Sequence, residues 1–168
     1  MSKNYFYEII FSRVALIIFV VLMFVIMGVA KQSPATIGLT ANTDFSSKLL
    51  LPDGSIVKTE IVDTLELRSK GLSGKNSLGE DESMLFVFDS EGYYEFWMPN
   101  MNFALDMVWM DKDYNVVDIT ENAEPKPELP QAELPKYKSS NMAQYVLEVN
   151  AGFCDEHNLK VGDKLKLT

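Results

Sequence analysis

The sequence predicts a mainly β fold, a β-sandwich or barrel-like single domain with two short helices, preceded by an N-terminal transmembrane helix. Two observations carry this expectation. β-Prone runs recur between turn-forming clusters from residue 49 to the end of the chain, and one uncharged apolar run occupies Val14 to Ala30. Hydrophobic residues make up 47% of the sequence and no repeat or biased tract interrupts it, so the composition supports a packed core. A length of 168 residues leaves room for one domain and an appendage.

The apolar run comes first. Ile9, Ile10 and Phe11 extend it toward the N-terminus, and a helix of roughly 20 such residues spans the hydrocarbon core of a bilayer. Lys3 and Arg13 precede the run and Lys31 follows it. That asymmetry places the N-terminus in the cytoplasm and the remaining chain outside, as a single-pass membrane protein held through residues 9–30. The competing reading is a cleaved signal peptide ending at Gly28-Val29-Ala30, with a secreted product. A secretory apolar region is usually about 7 to 15 residues, and the greater length here favours a retained anchor. The chain thus divides into a membrane anchor or signal segment (1–30), a small and polar tether (31–47) and a folded domain (48–168).

Within the domain, Leu49 to Leu51 and Ile56 to Val62 flank the turn sequence Pro52-Asp53-Gly54-Ser55, which predicts a hairpin. Asp63 or Thr64 then caps a short helix over Leu65 to Lys70, with Glu66 in the first turn, Arg68 and Lys70 in the last, and Gly71 as terminator. Met84 to Phe88 and Tyr93 to Met98 are predicted to pair as buried strands across Asp89 to Gly92. Leu105 to Met110 and Asn115 to Ile119 predict a second hairpin. Four of the seven prolines fall between Glu121 and Asn141, which predicts a long extended loop. Tyr145 to Val149 is a strand, Gly152 to Asn158 allows a helical turn, and Leu165 to Leu167 is a final strand.

Charge and cysteine content narrow the function. Without Lys3, Glu8 and Arg13, 13 basic and 23 acidic side chains remain, a net charge of −10. Such a surface repels phosphate backbones, so no nucleic acid is expected as a partner. The single cysteine, Cys154, allows no intrachain disulfide.

Five blocks of residues carry a family resemblance: Arg68-Ser69-Lys70-Gly71-Leu72, Met84 to Phe88, Phe96-Trp97-Met98-Pro99-Asn100, Leu105-Asp106-Met107 and Val146 to Gly152, with Gly162-Asp163 closing the set. Across residues 55 to 168 their order and spacing resemble the uncharacterised family known as domain of unknown function 192. The resemblance implies a compact, mostly β and often exported domain, and no established activity. The chain departs from the family's usual pattern at Ser83, where glycine is common, and at Pro99-Asn100-Met101, where a basic residue, Asn and Thr are usual. It departs also at Ser73 and Lys75, where Met and Arg are usual.

Several polar residues interrupt or adjoin apolar runs: Arg68, Asn100 after Trp97-Met98, Asp106 between Leu105 and Met107, Glu148 within Val146 to Val149, and Asn150 directly after it. A buried carboxylate is costly unless paired, which makes Arg68 a partner for Asp106 or Glu148. Strand alternation that points both carboxylates at water explains the same letters without a site. With Trp97 as an exposed aromatic edge, these six residues form the candidate ligand-binding set for a small or carbohydrate-like ligand, or for a protein partner. A cell-envelope hydrolase using Asp106 and Glu148 with Arg68 is the alternative.

The methionines of the domain are soft atoms suited to Cu(I), yet methionine more often fills core gaps, and no metal or cofactor is expected. His157 and Cys154 have no third partner in sequence, and no nucleophile elbow, zinc-binding helix motif or phosphate loop occurs. The sequence therefore leans away from an enzyme. The proline-rich stretch from Pro125 to Pro135 is a second place where a protein partner could dock by extended-chain contacts.

Overall fold

The computed structural model describes Phe45 and residues 47–168, so the predicted anchor and most of the tether lie outside the described residues. Among the described residues no helix is long and apolar enough to cross a membrane. The chain runs through β1 (Ser47–Leu50), β2 (Ile56–Val62), α1 (Leu65–Lys70), β3 (Glu82–Gly92), β4 (Glu95–Phe96), β5 (Leu105–Met110), β6 (Val116–Ala123), β7 (Tyr137–Lys138), β8 (Ala143–Asn150), α2 (Phe153–Glu156) and β9 (Lys166–Leu167).

Local chemistry sets these elements as the letters suggest. The β1–β2 turn closes through Leu51 N–H to Ser55 O at 2.9 Å, Asp53 Oδ1 accepts from Ser55 N–H, and Gly54 takes the positive φ (+90°) that the turn requires. Thr64 Oγ1 caps α1 by accepting from Leu67 N–H at 3.2 Å. Gly71 ends the helix at φ +48°, its N–H returning to Leu67 O.

Seven strands form one sheet in the order β6-β5-β8-β3-β2-β1-β9, and β4 pairs with β7 in a separate ribbon. Among the described strands only β2 and β3 pair in parallel, because the chain crosses over through α1 between them. The β1–β2 and β5–β6 hairpins form as expected. The sheet curls until its edges meet at one end. Val116 N–H donates to Asp163 O at 2.8 Å and Leu165 N–H to Tyr114 O at 3.1 Å, which joins the start of β6 to the segment leading into β9.

Of the sandwich and barrel readings, the structure selects, among the described residues, a curled half-barrel built on the seven-stranded sheet with two short helices. A second correction concerns residues 93–98. They do not pair with Met84 to Phe88, because β2 and β8 already occupy both edges of that stretch. They pair instead with β7, through Glu95 opposite Lys138 and Phe96 opposite Tyr137. The proline-rich stretch is likewise not all loop: β6 continues to Ala123, a 3-10 turn covers Gln131–Glu133, and β7 follows.

Every position of β5 is buried, so the sheet carries apolar cover on both faces. On the concave face Leu49, Val57, Leu85, Val108, Leu147, Val149 and Phe153 close the barrel interior. On the other face Val62, Leu72, Met84, Phe86, Met98, Met107, Trp109 and Val146 pack beneath α1 and the loops beside it. The buried Trp109 finds a partner for its ring N–H in Thr120 Oγ1 at 3.1 Å. The outer face is the one that opens into a cleft.

Candidate functional site

Strand alternation decides which candidates share a face. On β8, Val146 and Glu148 point to the outer face, and Leu147 and Val149 point into the barrel. Glu148 stands between Met107 on β5 and Met84 on β3, both of the outer cluster. Asp106, opposite Val149, points the other way.

Asp106 is 1% exposed and fully engaged. One carboxylate oxygen accepts from Asn122 N–H at 2.9 Å and the other from Gly152 N–H at 3.1 Å and Cys154 N–H at 3.0 Å. It therefore staples the β6 bulge and the first turn of α2 to the barrel interior. The two-carboxylate hydrolase fails on this geometry, since Asp106 and Glu148 lie on opposite faces of the sheet. Burial, with Asp106 beside it, pushes the Cys154 thiol up, which removes it as a nucleophile. His157 is engaged at the surface, its Nδ1 at 2.8 Å from Asp53 Oδ2.

Glu148 differs in every respect. It is 5% exposed, and burial alone pushes its carboxyl up to about 8. It has no hydrogen-bond partner among the described residues, whereas every fully enclosed side-chain nitrogen or oxygen there has one. Its oxygens therefore reach open space. That space is a cleft of about 230 Å³, lined by α1 and the following turn, by Phe86 and Phe88 of β3, and by Glu95 to Pro99 and Met101, with Glu148 among the lining residues.

The cleft walls are held by side chains with other duties. Arg68 is not a partner of Glu148: its guanidinium donates to Asp63 O and to Val87 O at 2.7 Å and lies 5.0 Å from the centre of the Phe88 ring, tying α1 to β3. Phe96 meets Phe86 and Trp109 edge to face, at 4.9 and 5.3 Å, and Phe88 stacks on Tyr94. Trp97 is 40% exposed at the rim, with the Lys136 ammonium 5.0 Å from its ring centre. The loop after Trp97 is fixed to the turn after α1 by three contacts: Ser73 Oγ donates to Pro99 O at 2.8 Å, Gly74 N–H to Asn100 O at 3.0 Å, and Asn102 Nδ2 to Lys75 O at 2.8 Å.

Of the six sequence candidates, Arg68, Trp97 and Glu148 line this cleft. Asn100 sits at positive φ in an adjoining depression with Lys126, Pro127 and Leu129. Asn150 is a brace, its Nδ2 donating to the carbonyls of Leu78 and Gly79 at 3.1 and 3.0 Å. The six-residue candidate set does not include Phe86, Phe88, Phe96, Met98 and Met101, which also line the cleft. The alternation of Met84, Phe86 and Phe88 was the available signal for the first two. Among the described residues no group of three or more His, Cys, Asp or Glu is placed to hold a metal ion.

No functionally curated protein is significantly similar to the chain in sequence. Two crystal structures share its fold. One, from Sinorhizobium meliloti 1021 and described provisionally as a transcription regulator, is 29% identical, with a TM-score of 0.62 over 71% of this chain and 90% of that one. The other, a protein of unknown function from Novosphingobium aromaticivorans DSM 12444, is 26% identical, with a TM-score of 0.63 over 71% of this chain and 82% of that one. The family model DUF192, described as "Uncharacterized ACR, COG1430", matches residues 49–167, nearly the whole described domain. The chain belongs to the domain of unknown function 192 family.

Proposed function

We propose that the domain is a binding module for a small ligand, displayed on the outer side of a membrane by residues 9–30, and that the ligand enters the cleft over Glu148. One observation carries this reading: a buried carboxyl without a partner among the described residues opens into a cleft walled by aromatic rings. A carboxyl kept in such a place costs stability that an apolar residue of similar size would not. Functional sites are where perturbed groups of this kind concentrate.

The size of the cleft favours a small head group, since drug-sized sites run to about 300 to 1,000 Å³. The Trp97 edge is the rim of this site rather than its centre, because Lys136 already lies over its ring. A transcription-regulating role, the description given to the Sinorhizobium protein, gains no support from charge: the chain carries −9 at neutral pH.

The test is a small-molecule screen read by amide and methyl NMR shifts on the full chain in a sugar-free nonionic detergent. Ligand-induced shifts should cluster on Ser73, Phe86, Trp97, Met98 and Met101. Hits that shift only residues remote from these would end the proposal.

A further inference from the structure

We infer that the cleft selects an organic cation, a small alkylammonium head group that sits against the Glu148 carboxylate with its carbons on the surrounding aromatic rings. The inference rests on the binding-module reading and names its ligand class. Its first support is that Glu148 has no counter-charge paired with it among the described residues. Arg68, the nearest guanidinium of the cleft wall, is spent on two backbone carbonyls and the Phe88 ring. Glu95, on the opposite wall, is paired with Lys136. Glu60, two strands away on the same face, is paired with Lys75 at 2.9 Å. Lys70 lines the cleft from α1 but is exposed to water. Asp106 and Cys154 lie behind the sheet.

The second support is the wall chemistry. Phe86 and Phe96 bring aromatic rings to the cleft, Phe88 and Trp97 complete its wall while Tyr94 with Arg68 and Lys136 lie on their rings, and Met98 and Met101 offer polarisable thioethers. Aromatic faces attract ammonium groups by their quadrupoles, and such surfaces replace the weak hydration of an alkylated cation with little loss. A metal ion needs several hard or borderline ligands, and none of the described acidic, histidine or cysteine groups supplies them together. The chain's net charge of −9 adds a long-range field of the right sign.

Binding a cation ionises Glu148, so it releases a proton into solution whenever the empty site holds that proton. With the carboxyl at about 8 in the empty cleft, about 1% of sites are ionised at pH 6 and about 90% at pH 9. The affinity for choline, whose charge does not titrate, should therefore rise about 90-fold from pH 6 to pH 9.

The experiment titrates the full chain, in a sugar-free nonionic detergent, with choline, butylammonium, the uncharged choline isostere 3,3-dimethylbutanol and methyl β-glucoside. Calorimetry at pH 6, 7.5 and 9 in two buffers of different ionisation enthalpy reads affinity and proton release. The same series is run on Glu148→Gln, with its amide NMR spectrum as the check on folding. The inference expects both ammonium compounds to bind with rising affinity and close to one proton released at pH 6, and expects loss of that binding in E148Q. Equal, pH-independent binding of the neutral compounds by wild type and E148Q would overturn the cation inference and leave the binding module standing. Absence of cleft shifts with every probe would overturn both. Should E148Q fail to fold, the pH dependence and proton count of the wild-type chain still decide.

Discussion

Replacing Glu148 with Gln should make the domain more stable at neutral pH and remove a slope from its stability profile. The sign follows from the direction of the shift. Burial raises the Glu148 carboxyl from 4.5 to about 8, so the unfolded chain gives up this proton first as pH rises. Between those values the native state holds a proton that the unfolded state lacks, and stability present below about pH 4.5 is lost as pH climbs toward 8. A full shift of this size is worth on the order of 5 kcal/mol, of which about 2.5 kcal/mol is lost between pH 5 and pH 7. Asp111 and Asp118, raised by burial but lowered further by the hydrogen bonds they accept from Asn115 and Ser140, are held below the usual carboxylate range and titrate in more acidic solution, outside this window. The assay is urea unfolding of wild type and E148Q at pH 5, 6, 7 and 8, with the difference taken at each pH. The difference should grow by about 1 kcal/mol or more per pH unit. A constant difference across the series would show that Glu148 is ionised in the native domain and would refute the reasoning.

Other consequences follow from the same structure. Asp106→Ala strips three backbone N–H groups, those of Asn122, Gly152 and the buried Cys154, of their acceptor, and should cost about 2 to 4 kcal/mol in urea unfolding. A loss below about 1 kcal/mol would mean that water takes over the role. Gly71→Ala places a Cβ 3.2 Å from Phe86 Cζ at φ +48°, so it should lower stability by about 1 to 3 kcal/mol and broaden the NMR signals of the cleft wall. If residues 9–30 anchor the chain as proposed, the full chain stays in the membrane pellet after an alkaline carbonate wash, while a chain lacking residues 1–30 is released. N-terminal sequencing that finds a mature chain starting at Lys31 would overturn the anchor.

Much of the fold was legible because local signals act locally. Asp53-Gly54 and Asp111 to Tyr114 announce their hairpins through turn chemistry, and Thr64 and Gly71 bracket α1 by satisfying backbone groups at its ends. The pairing of residues 93–98 was not legible, since adjacency along the chain favours a hairpin and only the fold reveals that β2 and β8 hold both edges of β3. The aromatic wall was half legible: period-two spacing marks Phe86 and Phe88, while Met98 and Met101 reach the cleft from a loop with no periodicity.

The site itself turned on register. Asp106 and Glu148 look alike in sequence, each a carboxylate within an apolar run, and pairing Asp106 opposite Glu148 would have put both on one face. The structure sets Asp106 opposite Val149 and Met107 opposite Glu148. That one-residue difference sends one carboxylate into the barrel and the other into the cleft. Sequence periodicity fixes which residues of one strand share a face, but not which face of a neighbouring strand they join. Here the three backbone donors that collect around Asp106 favour the observed register, because a slip would bury its charge on the outer face without them. The fully bonded carboxylate thus holds the pairing in which the unbonded one lines the cleft.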